Sequence, residues 1–171
     1  INEPYSNWID GDFPDVIDVR KKYYQGSERY HMLAFDATKP ENVFALPDGE
    51  RAIVILEGIS MYLTNEQVNA FFQALAKKYP SLHILMDVYT MFGAKASKYK
   101  NPVNDVGVTQ LYGIDEIQSV LAGTELKCKA EHSFTPKRLV HELKKRERWF
   151  FKIIFNEGLY KKIYRLYELE K

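Results

Sequence analysis

The sequence predicts an α/β fold with a mainly parallel sheet. Short apolar runs of β-favouring type, residues 52–56 above all, alternate with amphipathic helical patterns, residues 64–79 above all. The signals run strand, helix, strand, strand, helix, strand, followed by a looser C-terminal part. Size agrees: 171 residues, 46% hydrophobic and 14% aromatic, can bury a sizeable core in one domain.

The elements follow in order. Residues 5–10 read as a short strand. Asp12-Phe-Pro-Asp15 reads as a helix start, with Asp12 able to cap, Pro14 suited to the first turn and Asp15 at the positive dipole end. Val16, Val19 and Tyr23 then share one helical face, widened by Ile17 and Tyr24. Residues 29–35 alternate weakly and read as a strand ending at Asp36. The run 52–56 is continuously apolar, as expected of a strand covered on both faces. Thr64 and Gln67 have the spacing of a capping box, and Val68, Phe71, Phe72, Leu75 and Tyr79 repeat at three and four before Pro80 stops the helix. Residues 82–88 form another largely apolar strand. A long loop with a helical piece follows over 90–110, then a short helix over 114–121 closed by Gly123, and a strand over 125–134.

The last 35 residues differ in charge. Residues 137–171 carry a net +6 and residues 1–136 a net −5, hidden in an overall +1. Trp149, Phe150, Ile153, Ile154 and Phe155, then Tyr160, Ile163, Tyr164 and Tyr167, recur at helical spacing. The reading is two regions: a core over 1–136 and a basic, aromatic helical segment over 137–171, packed on the core or on a second subunit. Lys144, Lys145, Arg146, Arg148, Lys161, Lys162 and Arg165 are expected to face outward. Glu142, Glu147, Glu157 and Glu168 interleave with them and dilute the field that nucleic-acid binding requires.

Composition excludes several classes. Gly and Pro total 16, too few for a disordered or fibrous chain. The single Cys128 excludes a disulfide scaffold and a multi-thiolate zinc cage, and suits a reducing, cytoplasmic setting. The four histidines share no metal-ligand spacing, so no metal is expected. No apolar run approaches the ~20 residues that span a bilayer, so no membrane partner is expected. G-x-S-x-G, Walker and G-x-G-x-x-G sequences are absent.

What remains is a row of acids. In open α/β sheets ligands bind outside the carboxyl ends of the strands. Four successive expected strands end in Asp10-Gly-Asp12, Asp36-Ala37, Glu57-Gly58 and Asp87. Such acids suit a ligand with hydroxyls, an amino group or positive charge. Each also has a local role open to it: Asp12 a helix cap, Asp36 the turn to Pro40, Asp87 packing within its strand. Glu57 follows five apolar residues directly and is the hardest to explain by structure alone.

Asp12-Phe-Pro-Asp-Val16, the strand ending Asp36-Ala37, and Leu56-Glu-Gly-Ile-Ser-Met-Tyr-Leu63 resemble the leucine carboxyl methyltransferase family, in particular its bacterial polyketide-type O-methyltransferases of the tetracenomycin kind. The resemblance runs from about Trp8 to Val88, and Leu111-Tyr-Gly-Ile-Asp115 extends it. It implies a Rossmann-like class I methyltransferase sheet and S-adenosylmethionine as cofactor. It implies that Asp12 holds the ribose hydroxyls, that Asp36 and the Ala37 backbone meet the adenine, and that Glu57 lies beside the methionine part. Tyr62 and Tyr89 follow strand ends and are candidates to touch the methyl acceptor, a small-molecule or carboxyl-bearing compound. No catalytic base is nameable.

The family's glycine-rich loop, G-L-D-[ST]-R, has no counterpart in the chain. That loop follows a central strand, whose loss would open two rows of backbone hydrogen bonds. The expectation is therefore the C-terminal portion of a longer protein, lacking the first strand of its sheet. Two rival readings stand beside the methyltransferase: a non-catalytic binding module that keeps the same sheet, and a nicotinamide-dependent oxidoreductase.

Overall fold

The computed structural model describes residues 7–97, 110–132, 137–156 and 160–171. Its helical core element forms as the pattern dictates. Helix α2 (Asn65–Lys78) starts with a reciprocal capping box, in which the Thr64 hydroxyl accepts from the Gln67 N–H and the Gln67 side chain accepts from the Thr64 N–H. Its periodic residues Val68, Phe71, Phe72 and Leu75 are all buried. They pack on one face of two parallel strands, β3 (Arg51–Leu56) and β4 (Ser81–Tyr89), through Leu56, Leu82, Ile84 and Met86.

Two sheets result. Strands β1 (Trp8–Asp12) and β2 (Tyr30–Ala34) pair in parallel around helix α1 (Pro14–Arg20). The larger sheet has the order β3-β4-β6-β5, with β5 at Lys127–His132 and β6 at Tyr164–Glu170. The fold is α/β as expected, but the larger sheet is mixed, because β6 runs antiparallel to both β4 and β5. Helices α3 (Met91–Ser97) and α4 (Ile117–Leu121) follow β4, and Gly123 closes α4 in the left-handed region at φ +71°.

The C-terminal segment departs from expectation. It is not one docked helix. Helices α5 (Lys137–Glu142) and α6 (Lys145–Phe151) and a π turn (Lys152–Asn156) lead, through a 3-10 turn at Tyr160–Lys162, into a strand at the middle of the sheet. Tyr167 and Leu169 point into the core beside α2, which their alternation permits as readily as a helix does. Strands β4 and β5 each need a partner for a row of backbone groups, and β6 satisfies both. Only part of the aromatic stripe is covered: Tyr167 is buried, while three residues of α6 and the π turn are bare. Trp149 is 68% exposed, Phe150 58% and Ile153 50%. Two of the expected outward cations turn inward instead. Arg148 donates to the Leu143 carbonyl at 2.9 Å and Arg165 to the Asp115 carbonyl at 2.8 Å.

Helix α1 also differs. Its expected apolar face, Val16, Val19 and Tyr23, is exposed, and only Ile17 is buried. The same holds for one side of the sheet. Ile53 is 73% exposed and Ile55 52%, and Leu85 beside them on β4 is exposed as well. Among the described residues β1 pairs only with β2, and β3 only with β4. Among the described residues the outer strands β1, β2, β3 and β5 each keep one unpaired edge, and Ile53, Ile55 and Leu85 are bare, so run 52–56 is covered on one face, not on both.

Candidate functional site at the strand ends

The site is built where parallel strands stop. Asp12 is the last residue of β1, half-buried, and its Oδ1 accepts from the Phe13 N–H at 2.8 Å. It does not cap α1: Phe13 holds the cap position, with no side-chain bond to the helix. The Asp12 Oδ2 has no partner among the described residues and is an open acceptor. The Asp12 carbonyl takes the Phe35 N–H at 2.7 Å and so ties the end of β1 to the turn after β2.

Asp36 follows β2 by two residues and is locally engaged. Its Oδ1 accepts from the Thr38 N–H at 3.0 Å and the Thr38 hydroxyl at 2.6 Å, and its Oδ2 faces Lys39 at 3.3 Å. The Thr38 hydrogen bonds, against a small cost of burial, hold its carboxyl below the usual range. This is the turn-building role the sequence left open. The neighbouring Ala37 N–H makes no hydrogen bond among the described residues. Glu57 directly follows β3, is exposed, and makes no hydrogen bond or ion pair among the described residues. Tyr62 is exposed. Tyr89 ends β4, half-buried, with its ring edge-on to Tyr164 at 5.3 Å.

The turn that carries Glu57 is held by Asp87. This carboxylate is only 5% exposed, and it accepts the Gly58 N–H on both oxygens, at 2.9 and 3.0 Å. The Ser60 hydroxyl donates to the Asp87 carbonyl at 2.5 Å. Gly58 sits at φ +68°, where a side chain is strained although nothing crowds it. Asp87 is therefore a clamp inside the sheet and not an acid exposed at its end.

The motif Leu111–Asp115 buttresses the same end of β4. The Tyr112 N–H donates to the Met61 carbonyl at 2.8 Å and the Ile114 N–H to the Tyr89 carbonyl at 2.7 Å. Asp115 Oδ1 accepts from the Met91 N–H at 2.8 Å. A side chain at Gly113 would meet the Thr90 backbone at 2.4 Å, so this close crossing requires glycine.

One cluster escaped the sequence. Asp10 Oδ2 accepts from the Arg20 guanidinium at 2.8 Å and the Tyr30 hydroxyl at 2.6 Å, and its Oδ1 from the Trp8 indole at 2.8 Å. Burial alone would raise this carboxyl, but those three partners outweigh it and hold it below the ordinary range. The group joins β1, α1 and β2 and is structural. No spacing rule links residues 8, 10, 20 and 30.

Other chemistry is sparse. Cys128 lies half-buried on β5, and burial with the nearby Glu131 carboxylate pushes its thiol up, which disfavours the thiolate. Among the described residues no group of three or more His, Cys, Asp or Glu could hold a metal, and no helix is long and apolar enough to cross a membrane. Two shallow hollows lie along α1 and the start of β2, one around Tyr24, Tyr30 and His31, the other around Val16 and Val19. Neither contains Asp12, Asp36 or Glu57.

Comparison with known proteins gives these strand ends a context. No protein-family model matches the chain. In sequence it is similar to the tetracenomycin polyketide synthesis O-methyltransferase TcmP of Streptomyces glaucescens, 26% identical over 113 residues, 66% of this chain and 42% of that protein. In structure it is similar to a putative methyltransferase from Thermobifida fusca (TM-score 0.65, 14% identity, 99% of this chain and 64% of that one). It is also similar to magnesium protoporphyrin IX methyltransferase from Synechocystis with bound S-adenosylhomocysteine (TM-score 0.53, 11% identity, 95% of this chain and 63% of that one). The fold is that of these methyltransferases. The chain spans less than two thirds of the length of each.

Proposed function

We propose that this chain is part of an S-adenosylmethionine-dependent O-methyltransferase that methylates a carboxylate or hydroxyl of a small molecule or other carboxyl-bearing acceptor, within the leucine carboxyl methyltransferase-like group. The observation that carries it is the placing of Asp12 and Glu57, each with free acceptor oxygens, directly at the carboxyl ends of β1 and β3, each a member of a parallel pair, on the fold shared with methyltransferases. The similarity to TcmP supports the O-methyl assignment.

The residues present fit the cofactor in three respects. The unpartnered Asp12 Oδ2 suits ribose hydroxyls, the free Ala37 N–H suits an adenine nitrogen, and the exposed Glu57 carboxylate suits the amino end of the methionine part. Asp36 shapes the turn that presents Ala37. The bound cofactor would supply an activated sulfonium methyl. The chain's residues would then orient it for in-line attack by the acceptor oxygen and exclude water. A carboxylate acceptor requires no base. Tyr62 and Tyr89 stand at the rim on the acceptor side in this reading.

The open edges of β1 and β3 and the bare Ile53, Ile55 and Leu85 support a further strand and covering helix supplied by chain outside these 171 residues. The bare Trp149, Phe150 and Ile153 favour a second reading, a non-catalytic interaction module with the same sheet. Calorimetry on the full-length protein with S-adenosylmethionine and with NAD separates these. Binding of S-adenosylmethionine alone supports the methyltransferase, binding of NAD alone supports an oxidoreductase, and binding of neither leaves the interaction module.

A further inference from the structure

The turn after β3 is held from an unexpected direction. Asp87 lies inside the sheet, with β3 on one side and β6 on the other. A buried carboxylate requires donors on its oxygens. It has two: the Gly58 N–H from the β3 side and the Tyr164 hydroxyl, which donates to Oδ2, from the β6 side. Tyr164 is the first residue of β6, set opposite Tyr89, and its ring packs edge-on against the Tyr89 ring at 5.3 Å. One carboxylate thus connects the start of the C-terminal strand to the turn that presents Glu57.

Structural need alone does not account for this arrangement. The Gly58 N–H could be satisfied by a neutral acceptor, and a buried charge costs more than a neutral group. A charged acceptor makes shorter and stronger bonds, so it holds the turn more rigidly. Both ends of the turn are held by the same residue, Gly58 through the side chain and Ser60 through the carbonyl. Burial, followed by the Asp87 carboxylate, pushes the Tyr164 phenol above its ordinary value, so the hydroxyl keeps its proton and remains a donor at every working pH.

We propose that Asp87 and Tyr164 are positioning residues of the cofactor site, locking the Glu57–Gly58 turn at the carboxyl end of β3 so that Glu57 meets S-adenosylmethionine preorganised. The proposal rests on the reading of Glu57 given under the proposed function. Tyr164 acts through Asp87, and Asp87 through the turn. Neither touches the reacting atoms.

The test uses Tyr164→Phe and Asp87→Asn in the full-length protein, each alone and combined with Glu57→Gln. Calorimetry with S-adenosylmethionine gives Kd, and steady-state rates give KM and kcat. The expected result for Tyr164→Phe is a roughly tenfold rise in Kd and in KM for the cofactor with kcat nearly unchanged, from the loss of one hydrogen bond to a charged group. Glu57→Gln should weaken binding less in the Tyr164→Phe background than in the wild type, since the turn is already loose. Amide exchange at Gly58 should quicken in both single variants. An unchanged Kd in a folded Tyr164→Phe variant whose Gly58 amide exchanges faster overturns the positioning role and leaves the methyltransferase reading intact. Full additivity with Glu57→Gln does the same. A wild-type protein that fails to bind S-adenosylmethionine while Gly58 exchange still responds overturns the methyltransferase reading, and the positioning proposal falls with it.

Discussion

The Phe35 ring meets the Phe71 ring edge-on at 5.9 Å. Phe35 follows β2, and Phe71 lies on the buried face of α2, so this contact ties the two-stranded sheet to the core of the four-stranded one. Phe71→Ala should lower stability by about 3–5 kcal/mol, the range for a buried phenylalanine. A double-mutant cycle with Phe35→Leu and Phe71→Leu should give a coupling of about 0.5–1.5 kcal/mol, measured by denaturant unfolding. Simple additivity would mean that the sheets are joined by other contacts, such as Val43 in the turn Pro40–Ala45.

The Asp10 cluster predicts a pH dependence. The folded carboxyl sits below its ordinary value of 3.8, so the unfolded chain binds the proton more tightly. The stabilisation is complete above the ordinary value and is lost as pH falls through the lower, folded value. Asp10→Asn should therefore destabilise at neutral pH, and the gap to wild type should narrow only below about pH 4. Urea unfolding midpoints at about pH 6 and about pH 3 check this. A gap that widened on acidification would show that the three hydrogen bonds do not stabilise the charged form.

Asp12 carries the ribose role in the proposed function. Asp12→Ala in the full-length protein should weaken S-adenosylmethionine binding by roughly 1.5–3 kcal/mol, with the unfolding midpoint nearly unchanged. Calorimetry provides the readout. Undiminished affinity would remove Asp12 from the site.

The bare side of β3 gives opposite predictions for the chain alone and for the full-length protein. Ile53→Ser with Ile55→Ser should reduce dye binding and aggregation of the 171-residue chain, because both side chains are exposed in it. In the full-length protein the pair should cost at least about 2 kcal/mol, since burial by the proposed covering strand and helix makes each a core substitution. Equal and small effects in both would mean that nothing covers this face.

The sequence by itself determined the elements that local physics controls. The Thr64–Gln67 capping box and the three-four repeat of Val68, Phe71, Phe72 and Leu75 specify α2 from neighbours a few residues apart. The apolar runs 52–56 and 82–88 specify strands β3 and β4, and Glu57 was legible because it follows the first run directly. Only the tertiary structure decided the rest. The residues 164–169 satisfy a helical and an alternating pattern alike, and β6 is a strand because β4 and β5 both present unpaired backbone to it. The repeat of Val16, Val19 and Tyr23 gave a helix but could not say whether anything would cover it. Asp87 counted among the strand-end acids, with packing within its strand also open to it. Its role is to clamp Gly58 from 29 residues away with Tyr164 another 77 residues on, and local patterning carries no trace of contacts between residues so far apart in the chain.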